Sequence, residues 1–138
     1  MLFRSLDGDG RPEAVGGSGG YLLHAFNSDG VEPAGFPKNT MGWIASSPTL
    51  GDLDGDGKSD IIWRKTNGEL ATWLMNGFTL VGAPYYGTVS TDWVIAGSGD
   101  FDGDGRSDIL WRNISGAVGY WAMNGAAILS MPILGSAP

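Results

Sequence analysis

The chain of 138 residues has no cysteine and a single histidine. Disulfides, cysteine–zinc sites and thiol catalysis are excluded, and metals that prefer sulfur or imidazole find almost no ligands. Basic residues are scarce as well. Eight Lys and Arg against 15 Asp and Glu leave a formal net charge of −7, with nothing like the basic stripe that nucleic acid requires. No apolar run approaches the roughly 20 residues of a membrane helix, so membrane insertion is not expected. The opening Met1-Leu2-Phe3-Arg4 runs at once into acidic turn residues and does not read as a secretory signal. What is plentiful is punctuation: 24 glycines and 7 prolines disfavour long helices and suit short strands joined by turns. The expectation is an all-β protein.

The negative charge is local. Residues 5–13, 52–60 and 100–108 hold 11 of the 15 acidic residues. Comparing the chain with itself shows why. At an offset of 48, Gly-Asp-Leu-Asp-Gly-Asp-Gly-Lys-Ser-Asp (51–60) falls on Gly-Asp-Phe-Asp-Gly-Asp-Gly-Arg-Ser-Asp (99–108). Trp63-Arg64 falls on Trp111-Arg112, Trp73 on Trp121, and Met75-Asn76-Gly77 on Met123-Asn124-Gly125. A weaker copy, Leu6-Asp7-Gly8-Asp9-Gly10, lies 47 residues before Leu53-Asp54-Gly55-Asp56-Gly57.

Each copy reads as a four-stranded antiparallel meander. In the third, strands are expected at 93–98, 109–113, 118–123 and 126–131, with the acidic loop between the first two. Asn76-Gly77 and Asn124-Gly125 are read as two-residue type I′ hairpins. The second copy starts near Trp43, and the first supplies strands at 13–17, 21–26 and 31–36. Pro37, Pro84 and Pro132 are expected to end fourth strands. A four-stranded unit repeating every 40–50 residues is the signature of a β-propeller blade. The expectation is one partial propeller domain over 1–138, with blades at about 1–40, 41–88 and 89–138. Propellers close with about four to eight blades. Three blades therefore imply a piece of a longer propeller, or a ring completed by self-association.

The pattern D-x-D-x-D-G-x-x-D places carboxylates at positions 1, 3, 5 and 9, with glycines that permit a tight curl. Hard oxygen donors in this number suit Ca²⁺ better than Mg²⁺, which prefers fewer carboxylates and more water. One ion is assigned to Asp52, Asp54, Asp56 and Asp60 with the Lys58 carbonyl. A second is assigned to Asp100, Asp102, Asp104 and Asp108 with the Arg106 carbonyl. Two carboxylates about 4 Å apart repel by roughly 4 kcal/mol at an effective dielectric near 20, so the loops need a cation, added protons or an open shape. In the first copy Ser5 and Glu13 replace the first and last aspartates beside Asp7 and Asp9, and a weaker third site is expected. The loops lack the distal glutamate of an EF-hand and are flanked by strands. The expected role is structural, since no base or open pocket accompanies them.

These loops, together with Ser-Asp-Ile-Ile-Trp-Arg (59–64), Ser-Asp-Ile-Leu-Trp-Arg (107–112), Trp-Leu-Met-Asn-Gly (73–77), Trp-Ala-Met-Asn-Gly (121–125), Asn-Ser-Asp-Gly (27–30) and Gly-Phe-Pro (35–37), resemble FG-GAP/VCBS repeats. Those are calcium-binding propeller blades of integrin α-subunit heads, certain fungal lectins and many secreted bacterial proteins. The resemblance implies a larger ring of about seven blades. It also implies a secreted or cell-surface setting, where calcium is plentiful, and a role in protein or carbohydrate recognition or adhesion. It does not specify an activity.

Six tryptophans, at 43, 63, 73, 93, 111 and 121, recur at equivalent strand positions and are read as packing between blades rather than as sugar platforms. Tyr85 and Tyr86 fall in a linker and are weak ligand candidates. Arg64 and Arg112 are expected to pair with an acid or stack on an indole. His24, alternating with apolar neighbours, reads as structural. Asn113-Ile114-Ser115 fits a glycosylation acceptor, a common chance match. No nucleophile elbow or histidine pair exists, so a non-catalytic module is expected. The alternatives are a lectin with sugar sites between blades, or an accessory domain of a secreted hydrolase or lyase.

Overall fold

The computed structural model describes residues 2–18, 21–44 and 48–136. They form strands and turns only, in three antiparallel sheets. The first sheet has the order β1 (Leu2–Arg4), β2 (Glu13–Ser18), β3 (Leu22–Phe26), β4 (Lys38–Asn39). The second runs β5 (Thr49–Gly51), β6 (Asp60–Arg64), β7 (Glu69–Asn76), β8 (Thr79–Gly82), with β9 (Tyr85–Thr88) also on β7. The third repeats this with β10 (Trp93–Gly99), β11 (Asp108–Asn113), β12 (Ala117–Asn124), β13 (Ala127–Ser130) and β14 (Ile133–Ser136), the last on β12.

Three expectations about the strands are corrected. The fourth strands do not stop at their prolines. Thr72 N–H donates to the Pro84 carbonyl and Tyr120 N–H to that of Pro132, so pairing passes through the proline and resumes as β9 and β14. Proline lacks only a donor, and at a sheet edge its nitrogen faces away from the ladder. Tyr85 and Tyr86 are thus in a strand, not a linker. The hairpins also turn one residue later than expected. Asn76 pairs with Thr79 and Asn124 with Ala127, so the central residues are Gly77-Phe78 and Gly125-Ala126. Positive φ falls on the glycines and not on the asparagines, the pattern of a type II′ turn. Finally, 31–36 is not a strand; Lys38–Asn39 pairs with β3 instead. In the second copy pairing does begin beside Trp43, where Ile44 bridges Lys65 and Thr66 N–H donates to the Trp43 carbonyl; it is taken up again at Thr49–Gly51, and 45–47 lie outside the described residues.

The sheets stack in sequence, and the burial of β6 records it. All five residues Asp60–Arg64 are buried, because Ile61 and Trp63 face the first sheet while Ile62 faces the third. Between the first two sheets Leu6, Val15, Leu23 and Ala25 meet Leu50, Ile61, Trp63, Trp73 and Met75. Between the second and third, Leu53, Ile62 and Leu70 meet Ile109, Trp111 and Met123. The first strands β1, β5 and β10 contact one another in turn. Ser59 N–H donates to the Ser5 carbonyl, and Ser107 N–H makes the equivalent bond to Asp52, so the same packing relation is used twice. Among the described residues the far face of the third sheet has no such cover. Phe101 is 43% exposed, whereas its counterpart Leu53 is fully buried; Leu110 and Val118 are half-buried where Ile62 and Leu70 are fully so.

Candidate metal centres

Each acidic loop joins the first strand of its sheet to the second, and its geometry follows from glycine and aspartate in alternation. Gly55 and Gly57 take φ of +79° and +86°, as do Gly103 (+79°) and Gly105 (+86°). That left-handed backbone turns successive N–H groups inward. The Asp52 carboxylate accepts from Gly55 (2.8 Å), Asp56 (3.1 Å) and Gly57 (2.9 Å). Asp100 accepts from Gly103 (2.8 Å), Asp104 (3.1 Å) and Gly105 (2.8 Å). In the first loop the hydroxyl of Ser5 takes this place, accepting from Gly8 and Gly10.

The last acidic residue anchors each loop from beneath. Asp60 is fully buried, one oxygen accepting from Leu53 N–H (2.8 Å) and the other from Met75 N–H (2.9 Å). Asp108 does the same with Phe101 and Met123, both at 2.9 Å. Glu13 is fully buried too. Its Oε2 accepts from Leu6 N–H, while its Oε1 is buried without a hydrogen-bond partner among the described residues.

Three sets of carboxylates are thereby brought together, each with oxygens within 4.8 Å of one another: Asp7, Asp9 and Glu13; Asp52, Asp54 and Asp60; Asp100, Asp102 and Asp108. Each set is able to hold a metal ion. Asp56 and Asp104 fall outside the sets, their Oδ1 atoms accepting from Lys58 and Arg106 N–H at 2.8 Å. Burial pushes Asp60 up to about 7, against the opposing hydrogen bonds from Met75 and Leu53. Desolvation likewise raises Glu13, Asp54 and Asp102, and in each case neighbouring carboxylates add to the rise. Asp100 moves the other way, held down first by the Gly105 N–H.

An FG-GAP-like repeat model matches residues 6–63 and again 52–111, each match beginning in one acidic loop and ending at the tryptophan beyond the next. The chain belongs to the FG-GAP-like repeat family. No curated protein and no solved structure matches it.

In this FG-GAP-like chain the remaining candidates sort by packing. Trp63, Trp73 and Trp111 are buried and Trp93 and Trp121 half-buried, with Trp63 against Trp73 at 5.4 Å and Trp111 against Trp121 at 5.1 Å between ring centroids. Trp43 departs from the pattern. It is 54% exposed and lies edge-on to Tyr21 at 5.0 Å. Two more residues separate it from its loop than separate Trp93 from Asp100, which removes it from the core position. Arg64 stacks on the Trp111 indole as expected. Among the described residues it meets no acid, however, and donates to the carbonyls of Trp93 and Val89, both at 2.6 Å. Arg112 is exposed. His24 pairs with Glu32 at 3.0 Å. Asn113 opens an exposed turn, its side chain accepting from Ser115 N–H.

Sequence reasoning missed two features. Glu69 gathers the Tyr85 hydroxyl (2.7 Å), the Asn67 amide (2.9 Å) and Lys65 (3.2 Å), which hold it down to about 2, the tyrosine contributing most. This network rims a hollow of about 340 Å³ floored by Trp63 and Trp73. The equivalent hollow on the third sheet, about 300 Å³, is lined by Trp111 and Trp121 with Ile133 in the place of Tyr85. Residues 65, 69 and 85 lie outside the repeat identities, and Tyr85 joins the other two only through strand pairing, so no motif marked them.

Proposed function

We propose that this chain is a non-catalytic, calcium-stabilised segment of a larger β-propeller of about seven blades, one that presents protein- or carbohydrate-recognition surfaces outside cells. The observation that carries the calcium reading is the buried Glu13 Oε1, a carboxylate oxygen without a hydrogen-bond partner among the described residues, in a set whose counterparts recur one and two repeats later. Buried carboxylate oxygens without donors are costly unless a cation or proton meets them. The donor set fits a hard cation, because it is oxygen only and the chain offers one histidine and no thiol.

Asp52, Asp54 and Asp60 with the Lys58 carbonyl would hold one ion, and Asp100, Asp102 and Asp108 with the Arg106 carbonyl another. Asp7, Asp9 and Glu13 would hold a third. Asp56 and Asp104 would join by turning from the backbone N–H groups they now accept from. The ion supplies positive charge that removes carboxylate repulsion; the chain supplies the curl that makes the oxygens converge. Two such ions would bring the formal charge from −7 to −3.

The propeller reading is supported by the repeated packing of one sheet on the next and by the contacts of β5 with β1 on one side and β10 on the other. The uncovered face of the third sheet would seat a further blade, either from a longer chain or from a second copy. The test is calcium uptake by calorimetry alongside thermal melting with and without chelator. Uptake with a rise in melting temperature supports the module, and neither effect would remove its basis.

A second reading, a lectin, is favoured by the hollow beside the Glu69 network. Trp63 lines it, and the buried indole N–H of Trp63 lacks a hydrogen-bond partner among the described residues. Saccharide-dependent quenching of tryptophan fluorescence, lost in Tyr85→Ala, would distinguish it.

A further inference from the structure

The candidate ligand Asp52 does not hold its own backbone in place; a residue of the next repeat does. Ser107 grips Asp52 from both sides of its main chain. Ser107 N–H donates to the Asp52 carbonyl at 2.7 Å, and Asp52 N–H donates to the Ser107 hydroxyl at 3.1 Å. The flanking residues are carried the same way, Leu50 O accepting from the Ser98 hydroxyl and Leu53 O from Gly125 N–H at 2.8 Å. Gly51 permits this close approach, because a Cβ there would lie 2.9 Å from the Ser98 hydroxyl and 3.0 Å from the Ser107 Cβ. Ser107 in turn is the residue before Asp108, whose carboxylate is bonded at both ends into the third repeat. Whatever orders the third loop therefore orders the clamp on Asp52.

We propose that Ser107 is a positioning residue for the second cation site, and that ion binding at the second and third loops is positively coupled through it. The inference rests on the calcium reading of these loops and adds to it a direction of communication between repeats. Two effects oppose each other. Neighbouring divalent charges repel, but across solvent-facing loops that repulsion is screened. Fixing the backbone of a first ligand removes conformational freedom that binding would otherwise have to remove. By linkage, each site must change the other's affinity by the same factor.

The test is a calcium titration of the full chain followed by the amide resonances of Gly57 and Gly105, which report the second and third loops separately. In Asp102→Asn, which disables the third loop at an exposed position, the Gly57 midpoint is expected to rise at least about threefold. In Asp54→Asn the Gly105 midpoint should rise by the same factor. Ser107→Ala should shift the Gly57 midpoint as Asp102→Asn does, while the third loop still loads; Ser107→Thr, which keeps the hydroxyl, should behave as wild type. A Gly57 midpoint that is unchanged or lowered in Asp102→Asn overturns the coupling alone. Amides unmoved by calcium in the wild type overturn the calcium reading itself and the coupling with it.

Discussion

The guanidinium of Arg64 lies over the indole of Trp111, 5.2 Å from the ring centroid, and bridges the second sheet to the third. The same group donates to the carbonyls of Val89 and Trp93, so one buried side chain secures the segment linking the two sheets. Burial lowers its pKa, but an arginine stays charged at any working pH. Arg64→Ala leaves those carbonyls without their donor and should destabilise the fold by about 2–4 kcal/mol. Lysine cannot span the same fork, so Arg64→Lys should recover only part of the loss. Denaturant unfolding followed by tryptophan fluorescence measures both.

Asp60→Asn tests the anchor beneath the second loop. Both carboxylate oxygens accept backbone N–H groups, and an amide would turn a donor toward one of them. A loss of about 2–3 kcal/mol is expected in calcium-free buffer. Asp108→Asn, whose contacts are equivalent, should cost a similar amount.

The raised carboxylates set the pH dependence of the calcium-free chain. Asp60 goes from about 4 when unfolded to about 7 when folded. The folded state then binds the extra proton, and its contribution to stability is complete below about pH 4 and lost as pH rises through about 7. Glu13, Asp54 and Asp102 act in the same direction, with Asp100 opposing. The calcium-free melting temperature should therefore fall between pH 5 and pH 8. With calcium present the cation replaces the proton, and the slope should flatten. Melting curves at unit pH steps in the two buffers check this.

The uncovered face of the third sheet predicts association. Leu110, Val118 and Phe101 repeat positions that are fully buried one sheet earlier. The isolated chain should show a concentration-dependent mass by light scattering. Phe101→Ser should reduce it, and a compact monomer at every concentration would contradict the prediction.

The repeat was legible because its identities are chemical necessities: aspartates that converge, glycines that curl the loop, and tryptophans that fill the same gap in successive sheets. The grouping of Asp7, Asp9 and Glu13, of Asp52, Asp54 and Asp60, and of Asp100, Asp102 and Asp108 was legible for the same reason, whereas Asp56 and Asp104, expected beside them, stand outside. The fourth strands were misread because proline was weighed as a stop, whereas Pro84 and Pro132 still offer carbonyls to the ladder. The hairpin register slipped because Asn-Gly favours one turn and the strand pairing, which places Gly77 and Gly125 first in the loop, imposed another. Trp43 was misplaced by spacing that identity alone does not reveal. The Arg64 bridge and the Ser107 clamp arise only when sheets stack, and strand-level reading has no access to that distance.

Calcium titration of the metal-free chain by calorimetry, with melting curves on the same samples, tests the central claim most directly. The account predicts uptake of two or three ions per chain, a melting temperature raised by several degrees, and about one ion fewer in each of Asp54→Ala and Asp102→Ala. No binding heat, with superimposable melts in calcium and in chelator, would contradict it.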